Sequence, residues 1–249
     1  MTIITHNLPY SGDGLSMQAT LYVDGDAKGP RPGVLIYPEA FGPGEVVHAT
    51  AKRLAQSGYA AVVCDLHGDA KLYTRLDEVM PLLEVIRPHP ERIRARARGA
   101  YEMAQASQWI DPSRIAAIGY CFGGTMALEL GRAGVPVKAI TGFHSGLATA
   151  APAAAGAIKA SVLVCIGADD PGIPAEQRLA FESEMRNAGA DWTMHVYGGV
   201  VHSFTNPEAE RLGRPDFARY DRAADEKSWA AMMEQLAVAL ATEGHPDDR

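Results

Sequence analysis

The stretch Ile115–Gly124, IAAIGYCFGG, decides how the rest of the chain is read. Arg114–Ile118 is an apolar run of the length expected for a buried strand. It runs into Gly119-Tyr120-Cys121-Phe122-Gly123-Gly124, and a helix is expected over Gly124–Gly131. Glycines on either side of one cysteine allow a turn too tight for larger residues. Such a turn lifts the cysteine clear of the strand end. The helix that follows points its free N–H groups at the same place, where they favour a thiolate or an oxyanion. A free cysteine is ordinarily a small buried hydrophobe. Cys64 and Cys165, inside apolar runs, are read that way. Cys121, at the apex of the turn, is read as a nucleophile.

Similar apolar runs lie on both sides of this segment: Gly33–Tyr37, Ala60–Cys64, Val137–Phe143, Val162–Ile166 and Thr193–Tyr197, with Met17–Val23 as an early strand after a turn at Ser11–Gly14. Helical stretches separate most of them: Glu45–Ser57, Pro90–Trp109, Ala175–Asn187 and Asp225–Ala241. Gly58, Gly134 and Gly189 stand where helix C-terminal glycines belong. Strand and helix alternating in this way predict an α/β fold, a mostly parallel central sheet with helices on both faces. Residues 1–249 are expected to form one domain. Ala148–Ala160 is alanine-rich and reads as a loose connection. Leu72–Pro90 reads as an excursion at the mouth of the site, with a helical piece ending in Arg87-Pro88-His89-Pro90.

With 249 residues, the chain is long enough to bury a full core without staples. Its 47% apolar and 21% charged residues are an ordinary globular balance. A formal net charge of −7 argues against nucleic acid as a partner. Three widely spaced cysteines suit neither a disulfide framework nor a zinc site, and fit a reducing compartment. No apolar run of about 18 residues predicts a membrane span, and Met1–Tyr10 does not read as a secretory signal. A cytoplasmic location is expected. No close set of metal ligands and no glycine-rich phosphate loop is present, so neither a metal nor an organic cofactor is expected.

Five segments together carry a resemblance: Tyr37-Pro38-Glu39-Ala40-Phe41-Gly42, Cys64-Asp65-Leu66-His67-Gly68, Ile118–Gly124, Gly167-Ala168-Asp169-Asp170-Pro171 and Tyr197–Asn206. In this order the chain resembles the dienelactone hydrolase family of the α/β-hydrolases. The cysteine elbow with an upstream Glu-x-Phe-Gly is the specific part. The resemblance implies the order nucleophile, acid, histidine. The pattern Gly-x-x-Asp-Pro falls on Asp170, with Asp169 as the neighbouring alternative. Of eight histidines, His202 has the glycine-rich approach and the correct order. His67 and His144 follow strands and line the pocket in this reading. His6, His48, His89 and His245 are assigned to the surface, and His195 to a strand face. His202 then exchanges a proton with Cys121, and Asp170 orients the imidazole. An oxyanion hole is expected from the backbone N–H groups of Phe122 and Ala40. The resemblance further implies that Glu39 contacts the thiol at rest and accepts its proton when substrate binds.

The implied substrate is a small-molecule ester or lactone, of the carboxymethylenebutenolidase type. The best-known members carry an arginine shortly after the histidine, where this chain has Thr205 and Asn206. That departure leaves room for a broader carboxylesterase or thioesterase. Arg75 and Arg87, in the excursion, are the candidate replacements. Arg92, Arg94, Arg96 and Arg98 are expected to be solvated. A thiol redox protein would need a resolving cysteine that the elbow lacks. A silent binding module on this scaffold would not need the full set of chemical groups.

Overall fold

The computed structural model describes residues 2–241; His245, assigned above to the surface, lies outside them. One eight-stranded sheet runs through the molecule. Its strands are β1 (Ile3–Gly12), β2 (Leu15–Asp24), β3 (Arg31–Tyr37), β4 (Ala60–Val63), β5 (Ile110–Tyr120), β6 (Ala139–Phe143), β7 (Ser161–Gly167) and β8 (Asp191–Tyr197). The spatial order is β1-β2-β4-β3-β5-β6-β7-β8. All strands from β4 to β8 in that order pair in parallel, and the β1–β2 hairpin joins the edge antiparallel through β4. The order reverses beside β3, so the loops at the carboxyl ends of the neighbouring strands surround one crevice.

The two-residue period of the strands sends neighbouring side chains into two separate cores. Leu35 and Tyr37 of β3 face α2 (Leu76–Ile86), α3 (Pro90–Gln105), α4 (Phe122–Arg132) and α5 (Ala175–Ala188). Val34 and Ile36 face α1 (Glu45–Gln56) and α6 (Arg222–Ala239). Leu54, Leu130 and Met232 are completely buried in these layers. Each such side chain contributes about 1.5–3 kcal/mol. None of the described helices is long and apolar enough to cross a membrane.

The sequence reading misses β1. Its Pro9 and alternating polar residues hide it, yet the Asp13-Gly14 turn that joins it to β2 is a hairpin signal: both residues have positive φ, 53° and 72°. The α3 helix stops at Gln105 rather than Trp109, because Arg31 pairs with Ile110 and draws β5 back to that residue. The α6 helix starts earlier than expected because the Asp221 side chain accepts the Ala224 N–H and caps it. Leu72–Pro90 does contain a helix, α2, which covers the crevice.

The α3 arginines are not the solvated row expected. Arg92 and Arg96 both bond Asp13 at the hairpin turn, and Arg96 is buried and also donates to the Leu66 carbonyl. Burial opposes charge on Asp13, but these two guanidinium groups outweigh it and hold its carboxyl below the usual range. Arg94 reaches Glu129 on α4, and Arg98 alone is exposed. The reason is the close docking of α3 on the hairpin, which turns one side of the helix into an interface.

Gly99 makes that docking possible, since a Cβ there would lie 2.0 Å from the Ser11 carbonyl oxygen. Gly99→Ala is expected to destabilise the fold by about 1–3 kcal/mol through overpacking. A urea unfolding midpoint equal to that of the wild type would contradict this close fit.

Candidate active site

Cys121 stands between β5 and α4 with φ 54° and ψ −119°, a conformation that costs of order 1–3 kcal/mol for a residue with a Cβ. Contacts on both sides hold it there. Its N–H donates to Phe143 O at 3.0 Å, and its carbonyl accepts from Gly124 N at 3.2 Å. A Cβ on Gly119 would lie 2.2 Å from Gly123 O, and one on Gly123 would lie 2.2 Å from Tyr37 O. Glycine is therefore required at both positions by space. The Phe122 N–H opens α4 and has no preceding turn to accept it. Ala40 lies on the loop after β3, and His67 Nε2 meets its carbonyl at 2.7 Å. His67 thus supports the loop from behind.

Asp170 and His202 come together from the loops after β7 and β8. His202 Nδ1 lies 2.7 Å from Asp170 Oδ2, while Gly172 N donates to Oδ1 at 2.8 Å. Asp170 is buried and Asp169 is exposed, which selects Asp170 between the two candidates. The His202 segment is pinned by backbone bonds, His202 N to Phe217 O and Arg219 N to His202 O. Phe217 also stacks on the His202 ring at 5.1 Å. Burial opposes the imidazolium, but the Cys121 sulfur and the Asp170 carboxylate outweigh it, so His202 is pushed up to about 10.

Glu39 lies in the same crevice. Its two carboxylate oxygens accept from Ser203 Oγ at 3.0 Å and Asn206 Nδ2 at 2.8 Å. Among the described residues these are the hydrogen bonds of its carboxylate, and both go to the segment carrying His202. None goes to Cys121, so the resting contact with the thiol that the resemblance implies is not made, because Ser203 and Asn206 take both oxygens. Burial raises its pKa, against the lowering influence of His202, Asn206 and Ser203. Asn206 and Thr205, which stand where an arginine was expected, therefore have other tasks. Thr205 Oγ1 lies 2.9 Å from His144 Nε2.

His144 is placed differently from the sequence reading. It does not line the cavity but is wholly buried beneath His202, with ring centroids 5.0 Å apart. Burial and the neighbouring His202 charge push its pKa well below the ordinary value, so it packs as a neutral ring. His6 stacks on Trp109 rather than standing free, His48 bonds Tyr22, and His89 is exposed beside Glu91. His195 sits half-buried on β8.

Glu39, Ala40, Cys121, Phe122 and His202 line one cavity of about 550 Å³. Its walls are largely apolar, with Leu83, Ile93 and Ile173 among them. Arg87 lines it as expected, whereas Arg75 is exposed and pairs with Asp77. Arg214, on the loop that precedes Phe217, also lines it and was missed because a lone arginine in a Gly-Arg-Pro loop has no periodicity to mark it. Among the described residues no group of three or more His, Cys, Asp or Glu is arranged to hold a metal ion.

An eight-stranded mostly parallel sheet with a strained Cys121 turn after β5, buried Asp170 after β7 and His202 after β8 has the architecture of an α/β-hydrolase. The dienelactone hydrolase family model matches residues 17–240, and the chain belongs to that family. It is 27% identical over 200 residues to the carboxymethylenebutenolidase of Pseudomonas putida, covering 73% of this chain and 78% of that one. Among solved structures it superposes on P91, a dienelactone hydrolase-like promiscuous phosphotriesterase from metagenomic libraries. There the TM-score is 0.91 and the identity 36%, covering 97% of this chain and 100% of that one. A thermophilic esterase of Thermogutta terrifontis, at 17% identity and TM-score 0.64, shares the fold over 96% of this chain and 95% of its own.

The elevated His202 pKa has a consequence for stability. A histidine raised in the folded state contributes its full stabilisation below the unfolded value of 6.5 and loses it as pH rises through about 10. The stability difference between wild type and His202→Gln should therefore shrink from pH 6.5 to pH 10. Urea titrations across that window check it, and a difference that grows with pH would contradict the assigned environment.

Proposed function

We propose that this hydrolase cleaves carboxylic esters or lactones through Cys121, His202 and Asp170. The observation that carries the reading is the strained Cys121 elbow facing the Asp170-bonded His202 in one apolar cavity. When substrate binds, the Cys121 thiol gives its proton to Glu39, the sulfur attacks the ester carbonyl, and the oxyanion is received by the N–H groups of Phe122 and Ala40. His202 then passes its proton to the leaving oxygen, leaving an acyl thioester on Cys121. Acylation removes the sulfur charge, the foremost of the influences that raise His202. The imidazole pKa therefore falls, and the neutral ring takes a proton from water. Attack of that water releases the acid, and the departing thiolate recovers its proton from Glu39. Asp170 keeps Nδ1 protonated throughout, so that Nε2 performs both transfers.

Arg87 and Arg214 at the mouth have no carboxylate partner among the described residues, which favours esters or lactones that carry a negative group. The phosphotriesterase P91, 36% identical over nearly the whole chain, favours a second reading in which Cys121 attacks phosphorus. The same N–H groups can receive the carbonyl oxygen of an ester or the phosphoryl oxygen of a phosphotriester, whose phosphorus becomes five-coordinate on attack. Three free cysteines, two of them buried, suit a reducing compartment, and we assign the protein to the cytoplasm.

Cys121→Ala is expected to abolish p-nitrophenyl ester turnover with folding retained, and mass spectrometry of the wild type during turnover should find the acyl group on Cys121. Retention of a tenth of the wild-type kcat by the variant would reject the covalent route. Paraoxon in the same assay separates the two readings: turnover of paraoxon without turnover of any carboxylic ester would favour the second.

Glu39 is assigned the acceptor role that the resemblance implies, with Ser203 and Asn206 as the partners that hold its carboxylate while the thiol is unengaged. Glu39→Gln is expected to lower kcat by about 10²–10⁴-fold with less effect on KM. A fully active Glu39→Gln enzyme, with an iodoacetamide pH profile like that of wild type, would make Glu39 a bystander and leave a simple thiolate–imidazolium pair.

A further inference from the structure

The segment from Gly146 to Ala154 has neither helix nor strand, and its side chains are mostly those of alanine. Ala148, Thr149 and Ala150 line the cavity. A connection of this composition normally leaves its backbone groups to water, but here the side chains of three helices hold them from behind. From α4, Thr125 Oγ1 donates to Gly146 O at 2.9 Å and Arg132 Nη2 to Leu147 O at 2.7 Å. From α3, Arg94 Nη2 donates to Ala151 O. From α5, Gln177 Oε1 accepts from Leu147 N at 2.6 Å and Ala148 N at 3.3 Å, and Glu184 Oε1 accepts from Ala153 N at 2.9 Å.

The holding groups are themselves joined. Arg94 and Arg132 share Glu129 at 2.7 and 3.0 Å, and Arg132 also grips Glu184 at 2.7 Å, with Arg132 and Glu129 almost completely buried. The charges balance, two of each sign. Buried ion pairs of this kind contribute little net stability, because desolvation offsets attraction, so fixing position is the effect that remains. Both Glu129 oxygens are occupied, so the carboxylate presents no free charge to the cavity.

We propose that this clamped alanine segment is the acyl-selecting wall of the enzyme, shaped to admit medium-length apolar acyl groups beside Cys121. This rests on the ester-hydrolase reading above. Its direction follows from the chemistry: the leaving oxygen must face His202, which protonates it. The acyl group then extends the other way, along α4 past Thr125 and Glu129, into the cavity that the alanine segment lines together with Leu83 and Ile93. Small side chains leave the room, and the clamp keeps the segment from collapsing into it.

Ala148 and Ala150 are exposed at the cavity rim, so larger residues there do not disturb the core. The test compares p-nitrophenyl hexanoate with p-nitrophenyl acetate. In Ala148→Leu and Ala150→Leu the hexanoate-to-acetate ratio of kcat/KM should fall by about tenfold or more, the range that a few methylenes in a pocket command. Gln177→Ala, which frees the Leu147 and Ala148 N–H groups without removing a buried charge, should also move the ratio toward unity. The iodoacetamide reaction of Cys121 reports in each variant that the elbow is intact. Ratios equal to wild type in all three variants, with Cys121-dependent turnover of both esters, would overturn the wall and leave the hydrolase reading standing. Failure of wild type to cleave either ester, or turnover that survives Cys121→Ala, would overturn both.

Discussion

The approach of α4 to β3 is the constraint on which the site depends. Gly123 lies so near the Tyr37 and Pro38 carbonyls that no side chain fits between them, and Gly119 meets the same turn from below. This contact sets the height at which β5 ends and α4 begins, and so forces Cys121 into positive φ. The same approach brings the loop after β3, with Glu39 and Ala40, alongside the first turn of α4. Cys121 and the two expected oxyanion donors are thus fixed by a single close packing of backbone on backbone. Such packing is hard to deform, since interiors are already dense.

The second group of residues is assembled by a different kind of physics. Asp170 and His202 come from loops, and electrostatics rather than close packing joins them. A buried carboxylate would be costly alone, but it accepts from Gly172 N and from the imidazole. His202 in turn is boxed by Phe217 on one face and by neutral His144 beneath. A charged His144 would repel the imidazolium. Its burial keeps it uncharged, and Thr205 satisfies one of its ring nitrogens.

What could be read from the sequence follows this division. The strands from β3 to β8, the elbow and the helix-ending glycines announce themselves through periodicity and through glycines that only a tight turn explains. Position after a strand and order along the chain point to His202 and narrow the carboxylate to Asp169 or Asp170; it is the resemblance that favours Asp170. Contacts between distant segments were not legible. Nothing in the local pattern of Arg94 or Arg132 says that they clamp an alanine loop, and nothing in Asn206 says that it bonds Glu39. The α3 arginines look solvated as a pattern, and only the packing of α3 on the hairpin and of α4 on α3 turns them inward. Likewise β1 was hidden by its polar residues, since an edge strand has no need of an apolar run.

The segment that follows β8 carries His202, Ser203, Asn206, Arg214 and Phe217, and it is tied to itself by the short bridge between His202 and Ala218. Cavity entrance and the His202 imidazole are therefore built on one piece of chain. If the mouth widens by shifting this segment, the imidazole shifts with it, away from the sulfur. Under the proposed mechanism, a change that displaces this segment disturbs the entrance and the imidazole together.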